Sequence, residues 1–316
     1  MEKIKKISIN PVFLKELKSI VRNKKLSLTL MTYNLILGLV GTVALYVIFY
    51  VSGSSSVNAE TVMVLYLILT LIEFFLICFA IPAYTSGSIS GEREKQTLEI
   101  LLTTPMSPTS IAMGKLLSGI GTIFLLVLSS APILALVFTI GGISAGDIAL
   151  YMLFILITAI YVGSIGVYFS ARFKKTSLAT VFTYATLISL GIGTCILMLL
   201  FRYVGELYLE GLYDAGKLLN YPDPPDLGYG VLILMLNPGV TWGSLALQGL
   251  GGTNTFYEII SEFGTVPRWI ITYWFYISVA VQLLLSALII RRAGARLNPI
   301  KVRKKKKKAK AKEDIF

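Results

Sequence analysis

The sequence predicts an all-α integral membrane protein with six transmembrane helices. Of its 316 residues, 55% are hydrophobic and only 15% are charged, whereas a soluble domain carries about 25% charged residues. In addition, six apolar segments are each long enough to cross the bilayer core, which takes about 20 helical residues. The predicted spans are about 28–51, 61–81, 116–140, 148–170, 177–201 and 268–290.

The distribution of positive charge predicts cytosolic N- and C-termini. All 29 Lys and Arg residues except Arg202, Lys217 and Arg268 lie in segments on one side of the membrane, and cytosolic segments are the ones that carry this excess. The chain then divides into three parts. They are a cytosolic amphipathic lead at 1–27, a six-span transmembrane domain at 28–297 and a basic cytosolic tail at 298–316.

Two segments outside the spans have further predicted structure. In the lead, Asn10 and Pro11 form a helix cap and first helical position, followed by apolar residues at helical spacing opposite Lys and Arg. This pattern favours a helix along the cytosolic membrane surface; a basic segment that only sets the topology is the alternative. The outer insertion at 202–267 contains YPDPPD, which cannot be helical, and then an apolar run that stops at Asn237. We expect a short re-entrant or interfacial helical hairpin at 229–250.

The segment between the second and third spans, SGSISGEREKQTLEILLTTPMSPTSIAMGK at 86–115, is the most informative part of the chain. A helix-prone run lies between Gly91 and Pro105, with a charged first turn and an apolar stripe. Ser107 and Pro108 then form a cap that opens the third span. This pattern predicts a short amphipathic cytosolic helix, joined with little slack to two membrane helices, that can transmit force from a cytosolic partner. The alternative is a surface helix that lies on lipid.

This loop resembles the hallmark loop of the ABC type-2 (ABC-2) transporter permeases, the transmembrane subunits of ATP-driven ABC exporters. Those proteins typically carry E-R-E-x-x-T-L-E, a leucine pair, T-T-P and a second S-P before G-K. The chain matches this pattern at Glu92, Arg93, Glu94, Thr97, Leu98, Glu99, Leu101, Leu102, Thr103, Pro105, Ser107, Pro108, Gly114 and Lys115. The lead NPVFLKELKSIVRNKK at 10–25 is similar to the start of the family, and the resemblance covers about residues 8–300.

The resemblance implies a dimer of six-helix subunits, homo- or heterodimeric, each docked on a separate ABC ATPase subunit. The loop helix would be the coupling helix, and the lead would be a connecting helix along the membrane. The hairpin at 229–250 would lie near the exit of the substrate path. The residues that the resemblance assigns to ATPase coupling are Glu92, Arg93, Glu94, Thr97, Leu98, Leu101, Leu102 and Pro105.

The chain is predicted not to be an enzyme. It contains no G-x-x-x-x-G-K-[ST] phosphate-binding motif, so ATP and Mg²⁺ are expected on the partner subunit, with no cofactor or metal on this chain. It has no histidine, which excludes His-ligated metal sites and histidine-based catalysis. No Asp pair lies within the spans to form an aspartyl membrane protease. A non-transporting sensor or assembly subunit that uses the same loop is the alternative to export.

Residues within the spans give a candidate substrate path at Glu73, Gly191 and Gly193. A carboxylate at the depth of Glu73 is costly unless it is partnered or protonated, so it either lines the path or bonds a neighbouring helix. For the two path glycines, and for Gly163 and Gly166 in the fourth span, close helix packing is the main interpretation and a hinge is the alternative. In the proteins that the loop resembles, spans 2 and 5 of both protomers line the path.

The tail at 303–312 is strongly basic but has no aromatic residues between its charges, so no nucleic-acid partner is predicted. Beside a bilayer, such a tail attracts anionic lipid at about 1 kcal/mol per charge; a solvated topology anchor is the alternative. These features suit a multi-pass protein of a bacterial cytoplasmic (inner) membrane.

Overall fold

The computed structural model describes residues 24–47, 50, 59–103, 105–140, 144–217, 220, 223, 225–251 and 253–297. The predicted amphipathic lead as far as residue 23, and the basic tail from residue 298, lie outside the described residues.

All regular structure in this described part of the chain is helical, and no strand occurs in it. We number the α-helices in chain order. They are α1 (Lys24–Tyr46), α2 (Ala59–Thr85), α3 (Ser90–Glu94), α4 (Leu98–Leu102), α5 (Pro108–Ile140), α6 (Ala145–Arg172), α7 (Thr176–Ile188), α8 (Thr194–Asp214), α9 (Pro238–Gly251), α10 (Thr253–Ser261), α11 (Arg268–Thr272) and α12 (Trp274–Leu297). A π-helical turn at Ser189–Gly193 joins α7 to α8, and a 3₁₀ helix at Gly228–Leu236 precedes α9.

The prediction of six spans is confirmed for the described residues, in which six helical segments are long and apolar enough to cross a membrane. These are Lys24–Tyr46, Val62–Glu94, Pro108–Val137, Ala145–Arg172, Thr176–Asp214 and Trp274–Leu297. A seventh candidate is the 3₁₀ helix together with the first part of α9, a pair bent by 101°. The predicted hairpin at 229–250 falls on this bent pair, and its re-entry into the membrane stays a prediction.

The helices do not begin and end where the sequence placed the spans, whose limits in a membrane stay predictions. The fifth span continues to Asp214 over 39 residues, about 58 Å at the helical rise, although hydropathy placed its end at residue 201. The helix persists because the polar residues that follow keep helical spacing, with Arg202 and Glu206 paired at 3.0 Å one turn apart. The sixth span begins at Trp274 rather than at 268, because the short helix α11 and a break at Tyr273 precede it.

The chain forms two compact units, each described here by itself. The first runs to Tyr184 and resumes at Leu284. Within it, α2, α5 and α6 pack against one another, and α1 packs against α2 and α5. Glycine allows the close approach of α6 to α2, because a Cβ on Gly166 would overlap the Thr85 side chain. This contact supports the packing interpretation of the glycines in the fourth span.

The second unit, Ala185–Leu283, is organised around Asn237, at the bend between the 3₁₀ helix and α9. The Asn237 amide nitrogen donates to the Gly191 carbonyl at 2.7 Å and to the Thr194 hydroxyl at 2.9 Å. Its side-chain oxygen accepts from the Gly239 backbone N–H at 2.8 Å and so caps α9. The Gly191 carbonyl belongs to the π turn, which also contains Gly193. Asn237 therefore satisfies a backbone acceptor at the irregular turn.

Candidate functional site

The loop after α2 forms two short helices rather than the single helix predicted between Gly91 and Pro105. After a turn at 86–89, α3 ends in a Schellman motif, in which the Thr97 N–H reaches the Glu92 carbonyl at 2.9 Å and the Gln96 N–H reaches the Arg93 carbonyl at 3.1 Å. Gln96 adopts the left-handed conformation, φ 60°, that this motif requires. The chain reverses there before α4 begins at Leu98.

Glu92 ties the loop to the third span. One carboxylate oxygen lies 2.9 Å from the Lys115 ammonium nitrogen in α5, and the other accepts a hydrogen bond from the Thr97 hydroxyl. The Lys115 side chain is only 5% exposed, whereas that of Glu92 is 32% exposed. An ion pair at this degree of burial is less screened than a surface pair. The first acid of the ERE motif therefore faces the membrane helices.

Arg93 and Glu94 hold the turn between the fourth and fifth spans. The Arg93 guanidinium donates to the backbone carbonyls of Ala171 and Phe173, at the C-terminal end of α6. The Glu94 carboxylate accepts from the Thr176 backbone N–H at 2.7 Å and from the Thr176 hydroxyl at 2.9 Å, at the start of α7. Each charge therefore sits at the helix end of opposite partial charge.

Further hydrogen bonds of backbone and hydroxyl groups connect the loop with α6 and α7. The Ser170 hydroxyl oxygen of α6 accepts from the backbone N–H groups of Ile89 and Ser90, both at 2.9 Å. The Ser86 and Thr180 hydroxyls lie 2.7 Å apart. The loop is thus joined to α5, α6 and α7 by hydrogen bonds and by the ion pair of Glu92 with Lys115.

The apolar stripe of the loop faces the same helices. Leu98 is buried in a cluster that includes Leu116 of α5, Val167 of α6 and Ile290 of α12, and the leucine pair Leu101–Leu102 packs against this cluster. The outward side of the loop carries Lys95, Gln96, Glu99, Ile100, Thr103 and Pro105. Ile100 is the large apolar side chain on that side and is 69% exposed.

The structure therefore divides the residues predicted to couple to the ATPase. Glu94 and Pro105 are exposed, whereas Glu92, Arg93, Thr97, Leu98, Leu101 and Leu102 are half-buried or buried. The sequence interpretation did not include Thr176, Ser170 or Ile100 in the site. Thr176 opens an apolar run after two lysines, which signals a helix start, but nothing local connects it to Glu94, 82 residues away.

Glu73 lies apart from the loop, in the middle of α2, and is completely buried. One carboxyl oxygen, Oε1, accepts a hydrogen bond from the Tyr33 hydroxyl of α1 at 2.8 Å and another from the Ser130 hydroxyl of α5. These bonds to neighbouring helices correspond to the second of the two interpretations offered for this residue. Its place in a substrate path stays a prediction, as do those of Gly191 and Gly193. Among the described residues, no cluster of Cys, Asp and Glu is arranged to hold a metal ion.

A family model described as "ABC-2 family transporter protein" matches residues 10–291. The match covers most of the chain and includes the loop with both of its short helices. The chain belongs to the ABC-2 transporter family. A comparison with curated proteins gave no match. As an ABC-2 transporter protein, the chain is a multi-pass transmembrane permease subunit and not itself an ATPase.

Proposed function

We propose that this permease subunit belongs to an ATP-driven ABC exporter and is moved by a separate ATPase subunit, which binds ATP and Mg²⁺ and docks on residues 86–107. The supporting observation is that one loop is bonded to three membrane helices at once. Glu92 reaches α5 through Lys115, Arg93 reaches the end of α6, and Glu94 reaches the start of α7. A displacement of the loop would therefore be transmitted to three spans together.

The outward side of the loop suits a protein partner. Ile100 projects at 69% exposure between the exposed polar residues Lys95, Glu99 and Thr103. An apolar anchor inside a polar rim is the usual arrangement of a docking surface. We assign docking to this outward side, and we assign transmission to Glu92, Arg93 and Glu94, whose side chains bond to α5, α6 and α7.

The proposed assembly contains two permease subunits, identical or different. The span Thr176–Asp214 supports this arrangement, because only 11% of its most apolar window is buried within the protomer, against 56% for α6. The exposed side chains on it include Leu199, Leu200 and Val204. A second protomer would cover part of this face and lipid the rest.

We place the termini in the cytosol of a bacterial cell, because the segments on the same side of the membrane as the termini contain most of the Lys and Arg residues.

Co-purification with a candidate ABC ATPase, expressed together with the full chain, tests the docking assignment. Replacement of Ile100 by Asp would put a charge into the centre of the interface, so the variant should lose the bound ATPase and its ATP turnover. The matched control is Ile259→Asp, on an exposed isoleucine of the outer insertion, which should retain the ATPase. Retention of the ATPase by the Ile100→Asp variant would contradict docking at this loop.

Glu94→Gln separates docking from transmission in the same preparation. The variant should keep the ATPase bound, because Ile100 and the polar residues around it are unchanged. ATP turnover stimulated by transport should fall several-fold, because the hydrogen bonds to Thr176 are weakened. ATP-dependent flux of labelled amphipathic compounds into inverted vesicles then tests export itself. ATP turnover without flux of any of these compounds would favour the sensor or assembly role.

A further inference from the structure

Among the described residues, the groups that contact the Glu73 carboxyl are hydroxyls and not cations. Glu73 is 0% exposed, and no ion pair involves it among the described residues. An ionised carboxylate in such a place carries a penalty of several kcal/mol unless several donors compensate it. The number of hydrogen-bond donors available to the two carboxyl oxygens therefore determines whether the surroundings favour the ionised or the protonated form of Glu73.

The hydroxyls next to Oε1 supply few hydrogens. The Tyr33 hydroxyl donates its single hydrogen to Oε1 at 2.8 Å. The Ser130 hydroxyl also has one hydrogen but has two acceptors in reach, Glu73 Oε1 and the Val127 carbonyl, the latter at 2.8 Å. Of the hydroxyls that the structure describes at this carboxyl, that of Tyr33 alone donates its hydrogen to Glu73 without a competing acceptor.

The second oxygen, Oε2, is buried and has no hydrogen-bond partner in the part of the chain that the structure describes. A third hydroxyl, that of Tyr151 on α6, lies close enough to the Glu73 carboxyl to interact with it. Its hydrogen is committed to the Thr70 backbone carbonyl at 2.8 Å, so the Tyr151 oxygen can offer Glu73 only a lone pair. A carboxylate oxygen cannot use a lone pair, but a carboxylic acid O–H can donate to it.

We propose that Glu73 is an intramembrane proton-binding site, occupied in this conformation, with the proton on Oε2 and directed towards the Tyr151 hydroxyl. The bound proton completes a chain of hydrogen bonds from Tyr33 through Glu73 and Tyr151 to Thr70, which links α1, α2 and α6. The other titratable groups around the site are Tyr66, Cys78 and, beyond Tyr66, Asp147, and none of them is a cation. This inference is independent of the coupling role of the loop.

Infrared spectroscopy of the full chain in lipid bilayers tests this site directly. At neutral pH the wild type should show the C=O stretch of a protonated carboxylic acid, and Glu73→Gln should lose that band. Tyr33→Phe should keep the band but move it to higher frequency, because the carbonyl oxygen Oε1 loses a hydrogen bond. The Gln variant is close to isosteric, and the Phe variant keeps the carboxyl in place, so each checks the other.

Glu206→Gln is the matched control, since Glu206 is 41% exposed and paired with Arg202; it should leave the band unchanged. Identical spectra for the wild type and Glu73→Gln in the region of protonated acids would overturn the proposal. A Tyr33→Phe spectrum with the band at its original frequency would also overturn it, because the hydrogen bond to Oε1 would then not exist.

Discussion

Glu73 in α2 and Glu92 in α3 lie in consecutive helices, and both contact α5, but through different kinds of group. Glu92 reaches α5 through the cation Lys115, whereas Glu73 reaches it through the hydroxyl of Ser130. Glu92 is partly exposed and Glu73 is completely buried. The difference follows from solvation, because two charges lose less hydration free energy where some water remains than they do in a fully buried site.

The two regions also suit different tasks. At the loop, fixed charges meet the ends of α6 and α7, so the contacts have direction and can transmit displacement. At Glu73, neutral hydrogen bonds join helices with little charge in the apolar interior. The contrast predicts that neutralising substitutions harm the loop and are tolerated at Glu73, which the following experiments test.

The largest effect is expected when the loop loses its buried cation. Lys115→Met would leave the partly buried Glu92 carboxylate without its bonded cation, at a cost of about 3 kcal/mol, the lower end of the range for a broken buried pair. Glu73→Gln should change stability by less than about 1 kcal/mol, because the amide can still accept and donate hydrogen bonds. The midpoints of thermal unfolding in detergent measure both.

The double variant Glu92→Gln, Lys115→Met is the control for this comparison. It removes both charges and should recover most of the stability that Lys115→Met loses. If Lys115→Met alone unfolds at the wild-type temperature, the pair contributes nothing and the contrast with Glu73 disappears.

A smaller effect is expected at Asn237, whose neutral amide joins the start of α9 to the π-helical turn and α8. Asn237→Ala removes both the cap of α9 and the bonds to Gly191 and Thr194, and should cost about 2 kcal/mol. Asn237→Ser keeps a good capping residue but is too short to reach the π turn, and should cost about 1 kcal/mol. Chemical unfolding of the two variants checks this order; a Ser variant as stable as the wild type would show that the cap is the whole contribution.

Much of the fold could be predicted from the sequence, because a bilayer imposes long apolar runs that are visible locally. The end of the fifth helical segment could not be predicted. Beyond residue 201 the helix continues through contacts between polar residues one turn apart, such as Arg202 and Glu206, which a hydropathy profile does not detect. The break in the loop could not be predicted either. Gln96 adopts a left-handed conformation that could not be predicted from the sequence, because glycine or asparagine usually occupies that position.

The contacts of the candidate loop could not be predicted from the sequence. The groups that its ERE motif binds include the carbonyls of Ala171 and Phe173 and the helix N-terminus at Thr176, which lie about 80 residues away along the chain. The energetic cost of a buried charge predicted that Glu73 needed partners. The identity of those partners depends on the packing of α1, α5 and α6, which no local pattern records.

The smallest effect concerns an exposed carboxyl whose surroundings are opposite to those of Glu73. Asp226, in the segment 202–267 between the last two spans, accepts from the Thr265 hydroxyl and from the backbone N–H groups of Gly228 and Thr265, and these bonds lower the pKa of its carboxyl. Because the folded pKa is the lower one, the stabilisation is present above the ordinary aspartate range and is lost as pH falls below it. Amide hydrogen exchange at Gly228 and Thr265, corrected for its intrinsic pH dependence, should therefore lose protection at acidic pH in the wild type. Asp226→Asn should lack that pH dependence, and equal profiles for the two proteins would mean that this carboxylate does not stabilise the backbone at Gly228 and Thr265.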